Sequence, residues 1–300
     1  MTVTFRDASG RLGSPALLRG RRAVLVTTDL LGLPAALAEP ICQRITEKTG
    51  LKREQILLTS AHTHNGPVLS LDPTASDNGM SPGDVQRTIA YTKRLQDQIV
   101  QVVIDANQKL EPANLSWGGG VVLGANPRGL ADRTVPVLRI DGADGKPRAV
   151  LFGAVVHNTT LRPQHYELCG DYAGFAQRYV QEQHAGVQAM FVVGCAGDAD
   201  PYPHGSMELA REHGASLGKE VCRVLTTKLT PVTGSLKTAL KQVDLPLQQP
   251  PARAELEKQA AAKRGVSAWV AQQMLKTLAR GDKLPTTAAN PPRSGGLLGS

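Results

Sequence analysis

Aromatic residues are scarce: Phe, Tyr and Trp make up only 4% of the 300 residues. That is too few for the stacking platforms on which single-stranded nucleic acids lie, so nucleic acid is not an expected partner. None of the four cysteines, Cys42, Cys169, Cys195 and Cys222, forms a C-x-x-C pair, which argues against a structural zinc site built on thiolates. No G-x-x-x-x-G-K-[ST] pattern is present, which sets a P-loop aside for the glycines around Asp198. No apolar run approaches the ~20 residues that span a bilayer. The opening Met-Thr-Val-Thr-Phe-Arg-Asp lacks the apolar core of a secretory signal, so no export signal is visible and the compartment stays open. The formal net charge of +8 is unevenly spread, with eight Lys/Arg against three Asp/Glu in residues 251–300, a net of +5, which leaves +3 for the first 250. The basic character therefore belongs mostly to a solvated tail.

With 41% hydrophobic and 20% charged residues, the chain can bury a sizeable core. Strand and helix patterns alternate along it. Residues 23–28, 56–60, 115–123, 135–140, 149–156 and 188–193 read as strands. Residues 149–156 are a nearly continuous apolar run, hence a buried strand. Helices are expected from Pro34 to the closing Gly50, over 84–108, 172–184 and 207–225, and in a basic stretch at 254–280. Asp144-Gly145 marks a hairpin, and 69–83 reads as a long loop. The expected fold is α/β: a mixed β-sheet core flanked by helices, followed by a basic helical C-terminal tail. The expected organisation is a body over 1–247 and, over 248–300, a linker, a basic helix and a disordered end from Ala288 onward.

Polar clusters sit where strands hand over to loops, the usual location of ligands in open α/β sheets. His62 and His64 follow the strand at 56–60, and their i, i+2 spacing would place both rings on one side of a strand. Val155-Val156-His157-Asn158 ends another strand, and Gly194-Cys195-Ala196-Gly197-Asp198-Ala199-Asp200 a third. If these converge, imidazoles and carboxylates would suit Zn²⁺ with an open water position. Each residue also has a plainer reading. The His62/His64 pair would sit in a polar turn, His157 would be a core histidine bonded to a carbonyl, and the aspartates would cap the next helix. Cys42 and Cys222 fit as small core residues.

The ordered set of motifs resembles the catalytic domain of the neutral/alkaline, non-lysosomal ceramidases over about residues 22–230. The resemblance is carried by Asp29-Leu30-Leu31-Gly32, by Ser60-Ala61-His62-Thr63-His64-Asn65-Gly66-Pro67 (similar to the family's T-H-T-H-[SA]-G-P), and by Asn126-Pro127-Arg128. It continues through residues 135–141, Val156-His157-Asn158-Thr159-Thr160, Cys169-Gly170-Asp171-Tyr172-Ala173-Gly174 and residues 194–201. It implies zinc-dependent hydrolysis of the amide bond of N-acylsphingosine, a ceramide-like lipid substrate reached by peripheral contact with a membrane surface. It also implies His62 and His157 as zinc ligands, His64 as an active-site histidine near the bound water, and Arg128 with Asp198 on the substrate-binding side. Members of the family are often secreted or periplasmic.

Where the family carries a serine, this chain has Asp200. A carboxylate cannot donate a hydrogen bond as a hydroxyl does, so Asp200 is expected to orient a water or alter the substrate range. Two further zinc ligands of the family, a Glu and a Tyr, are expected after residue 288, where the chain reads Asn290-Pro291-Pro292-Arg293-Ser294-Gly295-Gly296. The expectation is a truncated copy with half a metal site, weak zinc binding and impaired hydrolysis. Two alternatives stay open: a non-catalytic remnant that binds lipid or a partner, and a related zinc hydrolase for another amide or ester.

Overall fold

The structure is a computed structural model that describes residues 2–6, 22–73, 80–122, 125–127, 132–241, 243–261 and 266–289. Strands β1 (Thr2–Arg6), β2 (Arg22–Thr28) and β3 (Ile56–Ser60) form a three-stranded sheet in that order, β1 antiparallel and β3 parallel to β2. The parallel step requires a crossover, which α1 (Ala35–Thr49) supplies; Gly50 ends it at φ +70°, a conformation glycine adopts without a Cβ penalty. Helix α2 (Pro82–Gln108) begins at Ser81, whose hydroxyl accepts from the Asp84 N–H, with Pro82 at the first helical position. Its stripe of Val85, Thr92, Ile99, Val100 and Val103 is buried. Ile99, Val100 and Val103 join Val24 and Val26 of β2, Ile56 of β3, and Ile41 and Ile45 of α1 in one apolar cluster.

The second sheet has five strands: β4 (Ala113–Val121), β6 (Thr134–Gly142), β7 (Pro147–Ala154), β8 (Gln188–Val193) and β10 (Thr230–Pro231), in the order β10-β4-β6-β7-β8. Strands β6 and β7 form the hairpin expected at Asp144-Gly145, with Gly145 at φ +74°. Strand β8 runs parallel to β7, joined to it through α3 (Asp171–Gln183). A short ribbon pairs β5 (Ala125–Pro127) with β9 (Ala199–Pro201). The mixed α/β core flanked by helices is as expected; the strands are divided between two sheets, with β8 lying next to β2 and β3. The core of the larger sheet is built from Val137, Phe152, Phe191 and Tyr172, closed by Leu217 and Val221 of α4 (Met207–Leu225).

The chain forms two compact units, one of Met1–Leu33 with Pro40–Ala239, the other of Pro34–Glu39 with Leu240–Ser300. In the second, β11 (Asp244–Pro246) pairs antiparallel with β12 (Thr287–Ala289). The single basic helix expected over 254–280 is two helices, α5 (Arg253–Ala260) and α6 (Val266–Ala279), with Leu256, Ala268 and Ala271 buried. The expected disorder from Ala288 onward needs correction at its start, because Ala288 and Ala289 are held in the β11/β12 ladder; residues 290–300 lie outside the described residues. The sequence showed no partner strand there because the two strands are three residues each and some forty residues apart.

Helices α3 and α4 approach closely because two positions of α4 lack side chains. A Cβ on Gly214 would overlap the Phe175 Cβ and stand 2.7 Å from the Tyr172 carbonyl oxygen; one on Gly218 would meet the Tyr179 ring at 2.7 Å. In an unhindered helix, Gly→Ala stabilises by roughly 0.5–1 kcal/mol. Here backbone atoms of α3 would have to move, and overpacking of that kind costs about 1–3 kcal/mol. Gly214→Ala is therefore expected to lower the denaturation midpoint without changing the urea dependence of unfolding. A raised midpoint would show that the helices are not in contact at this position.

Candidate metal centre

Both histidine-bearing loops leave the carboxyl ends of strands. Strand β3 stops at Ser60, and the chain turns at His62, whose backbone lies in the left-handed region at φ 62°. The expected i, i+2 alternation of a strand thus does not hold here, since the pair lies beyond the strand. The left-handed residue brings the two rings together instead, with centroids 5.0 Å apart and planes near perpendicular. His157 follows β7 and donates its backbone N–H to Ala199 O at 2.7 Å, which joins this loop to β9. The ring centroid of His157 lies 4.7 Å from that of His62 and 5.1 Å from that of His64. The three imidazoles offer ligand nitrogens that all lie within 4.8 Å of one another.

The frame holding these loops is residues 165–173. Thr63, fully buried, donates its hydroxyl to Cys169 O at 2.7 Å and accepts from the Asn65 N–H. Asn65 donates its side-chain amide to His165 O, and its carbonyl accepts the Cys169 N–H. On the other side, Asn158, also fully buried, donates to Gly170 O and accepts from Ala173 N. The Tyr172 hydroxyl donates to Val156 O at 2.5 Å, next to His157. The Asp171 carboxylate accepts the N–H of Leu161 at 2.8 Å and that of Tyr172 at 2.6 Å. Thr63, Asn158 and Asp171 each stand within a motif quoted from the sequence, but none was assigned a role there. A short polar residue beside each histidine was the available signal.

The ring nitrogens have defined duties. His62 Nδ1 lies 2.7 Å from Leu31 O; a carbonyl only accepts, so Nδ1 carries the proton and Nε2 keeps its lone pair. His64 Nε2 and His157 Nε2 face each other at 3.1 Å. Two nitrogens on one tetrahedral zinc, each about 2.0–2.1 Å from it, stand roughly 3.3 Å apart, so the three-imidazole cluster as a whole is compact enough for one divalent ion, whichever of its members bind it. Burial of the ring lowers the pKa of His64 from the ordinary 6.5, and the neighbouring His62 and His157 lower it further, while the Asp171 and Asp200 carboxylates oppose the shift. His64 is the most open of the three rings.

Asp200, half-buried in β9, is therefore close enough to act on His64. Asp198 is exposed in the turn before β9 and is not among the charges that act on His64. Asp29, at the end of β2, accepts from Gln177 of α3. Arg128 lies outside the described residues. The cysteines Cys42, Cys169, Cys195 and Cys222 are all free thiols.

An α/β core with three convergent imidazoles beyond the carboxyl ends of its strands defines a candidate metal centre. No protein-family model matches the chain. It is 26% identical over 197 residues to neutral ceramidase A of Dictyostelium discoideum, covering 57% of this chain and 26% of that protein. It is 23% identical over 185 residues to neutral ceramidase B of the same organism, covering 55% and 25%. The fold is similar to the crystal structure of neutral ceramidase from Pseudomonas aeruginosa, with a TM-score of 0.60, 22% identity, and 75% of this chain matched to 39% of that one. It is also similar to a ceramidase complexed with C2, with a TM-score of 0.61, 22% identity, and coverage of 75% and 38%. The chain spans about a quarter of the length of the curated relatives it matches.

With its pKa lowered, His64 binds a proton less readily in the folded chain than in the unfolded one. The unfolded chain takes up the proton first, so the stability linked to His64 is complete above the ordinary value of 6.5, is lost as pH falls through it, and levels off below the folded value. In the metal-free chain, an NMR titration of the His64 ring should give a midpoint below 6.5. A midpoint above that value would mean that the carboxylates outweigh burial.

Proposed function

We propose that this chain is a metal-dependent hydrolase domain that cleaves the amide bond of an N-acylsphingosine. The observation that carries the reading is the convergence of His62, His64 and His157 within a scaffold similar to the ceramidases. His62 and His157 are the proposed zinc ligands, each imidazole presenting Nε2. Bound zinc supplies Lewis acidity, polarising a carbonyl and acidifying water.

The chain's own groups do the rest. His64 is neutral at pH 7 and open to solvent, so its imidazole can accept a proton and pass it to the leaving amine nitrogen. The Asp200 carboxylate lies close enough to act on that imidazole and would stabilise its charged form or orient a water by accepting its hydrogen. Arg128 is proposed to bind the substrate and steady developing negative charge, with Asp198 as a further substrate contact. In this reading residues 1–247 carry the catalytic part and 248–300 form an accessory segment.

His62→Ala and His157→Ala are each expected to abolish zinc uptake. His64→Ala should keep the metal and lose about 100-fold or more in turnover of N-acylsphingosine, the lower end of general acid–base contributions. Loss of metal from the His64 variant as complete as from the other two would make His64 a third ligand instead. Zinc uptake with no turnover of N-acylsphingosine, but turnover of another amide or ester in a substrate panel, would move the substrate class. No zinc uptake and no turnover by the unaltered chain would favour a lipid- or partner-binding role.

Contact with a membrane surface is proposed on the exposed apolar side chains of the histidine-bearing frame. Leu31, whose carbonyl orients His62, is 50% exposed, and Tyr166 and Leu168 are 94% and 75% exposed. Replacing Tyr166 and Leu168 together with serine should weaken sedimentation with phosphatidylcholine vesicles and leave hydrolysis of a water-soluble short-chain substrate unchanged. Equal sedimentation of both proteins would exclude this rim as the contact.

A further inference from the structure

We propose that Asp171 is the positioning residue of the metal centre: its carboxylate locks the His157 loop against the start of α3 and so sets where the His157 imidazole stands. The inference rests on the metal-centre reading above. Asp171 has no exposed surface and a backbone φ of 51°, in the left-handed region that a non-glycine residue occupies at a cost unless its surroundings hold it there. Both of its oxygens are used locally. Oδ1 takes the N–H of Tyr172, the second residue of α3, and Oδ2 takes the N–H of Leu161, ten residues back and four after His157.

These two bonds fix the far end of the loop that carries His157. Its near end is fixed by the Tyr172 hydroxyl on Val156 O, and its middle by Asn158 on Gly170 and Ala173. Side-chain hydrogen bonds of three residues, Asn158, Asp171 and Tyr172, thus bind the loop to one helix start. Among them only Asp171 is a carboxylate, and it is also near enough to act electrostatically on His64. A buried carboxylate that holds the far end of a ligand-bearing loop and lends negative charge to the site acts as outer-shell groups do when they tune metal affinity. A capping role alone would not require the left-handed backbone, since the helix start could be capped from a conventional extended residue.

The test uses the full chain and Co²⁺, whose visible absorption reports coordination. Asp171→Asn retains one acceptor oxygen and a side chain that tolerates the left-handed region, but removes the charge and one acceptor. The expected result is a Co²⁺ dissociation constant raised about 10- to 100-fold, with an altered visible spectrum and unchanged far-ultraviolet circular dichroism. A folded variant with the affinity and spectrum of the unaltered chain overturns the inference and leaves the metal reading standing. Failure of the unaltered chain to bind Co²⁺ or Zn²⁺ overturns the metal reading and the inference with it. If the variant does not fold, hydrogen exchange on the unaltered chain decides. Metal should slow exchange of the Leu161 and Tyr172 amides, and unchanged exchange at metal saturation overturns the coupling.

Discussion

The site depends on a buried polar seam between residues 165–173 and the two loops that carry the histidines. Thr63, Asn158 and Asp171 have no exposed surface, and each is hydrogen-bonded across the seam or along it. Polar groups removed from water stabilise a structure only when they are satisfied; left unpaired, each costs on the order of 1–3 kcal/mol. The seam therefore admits one arrangement of the loops and penalises its neighbours. The three imidazoles converge because the backbone beneath them has little freedom.

The seam in turn rests on helix packing. Its anchor is the N-terminal end of α3, and α3 is pressed against α4 at Gly214 and Gly218, where the space of a side chain is given over to Phe175 and Tyr179. The apolar core of the larger sheet closes on the same pair through Tyr172 and Leu217. Tyr172 belongs to both systems. Its ring lies edge-on to Phe191 in the core, and its hydroxyl, whose proton burial holds far more firmly than usual, reaches Val156 beside His157. Packing and polar order are thus joined at one residue.

Much of this was legible in the sequence because it follows from local rules. Apolar runs at 56–60 and 188–193 became β3 and β8, and the helix expected over 207–225 is α4 with the same bounds. Strand-end polar clusters marked the loops that carry the site. What was illegible depended on pairing across distance or on single backbone angles. The division of the strands into two sheets is set by packing rather than by pattern, and the three-residue partnership of β11 and β12 is too short to show a period. The left-handed turn at His62 has no sequence signal of the usual kind, since neither Gly nor Asn stands there. Asp171 was overlooked because its role lies in a contact with Leu161, which spacing alone does not reveal.

His62 answers two unrelated demands, one on its backbone and one on its ring. Glycine or asparagine would relieve the first and remove the imidazole; cysteine or aspartate could replace a donor atom, but with a shorter reach and a different orientation toward Leu31. Few of the twenty residues satisfy both conditions. Position 62 is consequently a point of narrow mutational tolerance in a loop, the kind of segment that otherwise drifts freely. A sibling chain that has drifted there while keeping the surrounding polar residues would preserve the cradle and lose the chemistry, becoming a scaffold from which a new activity could start.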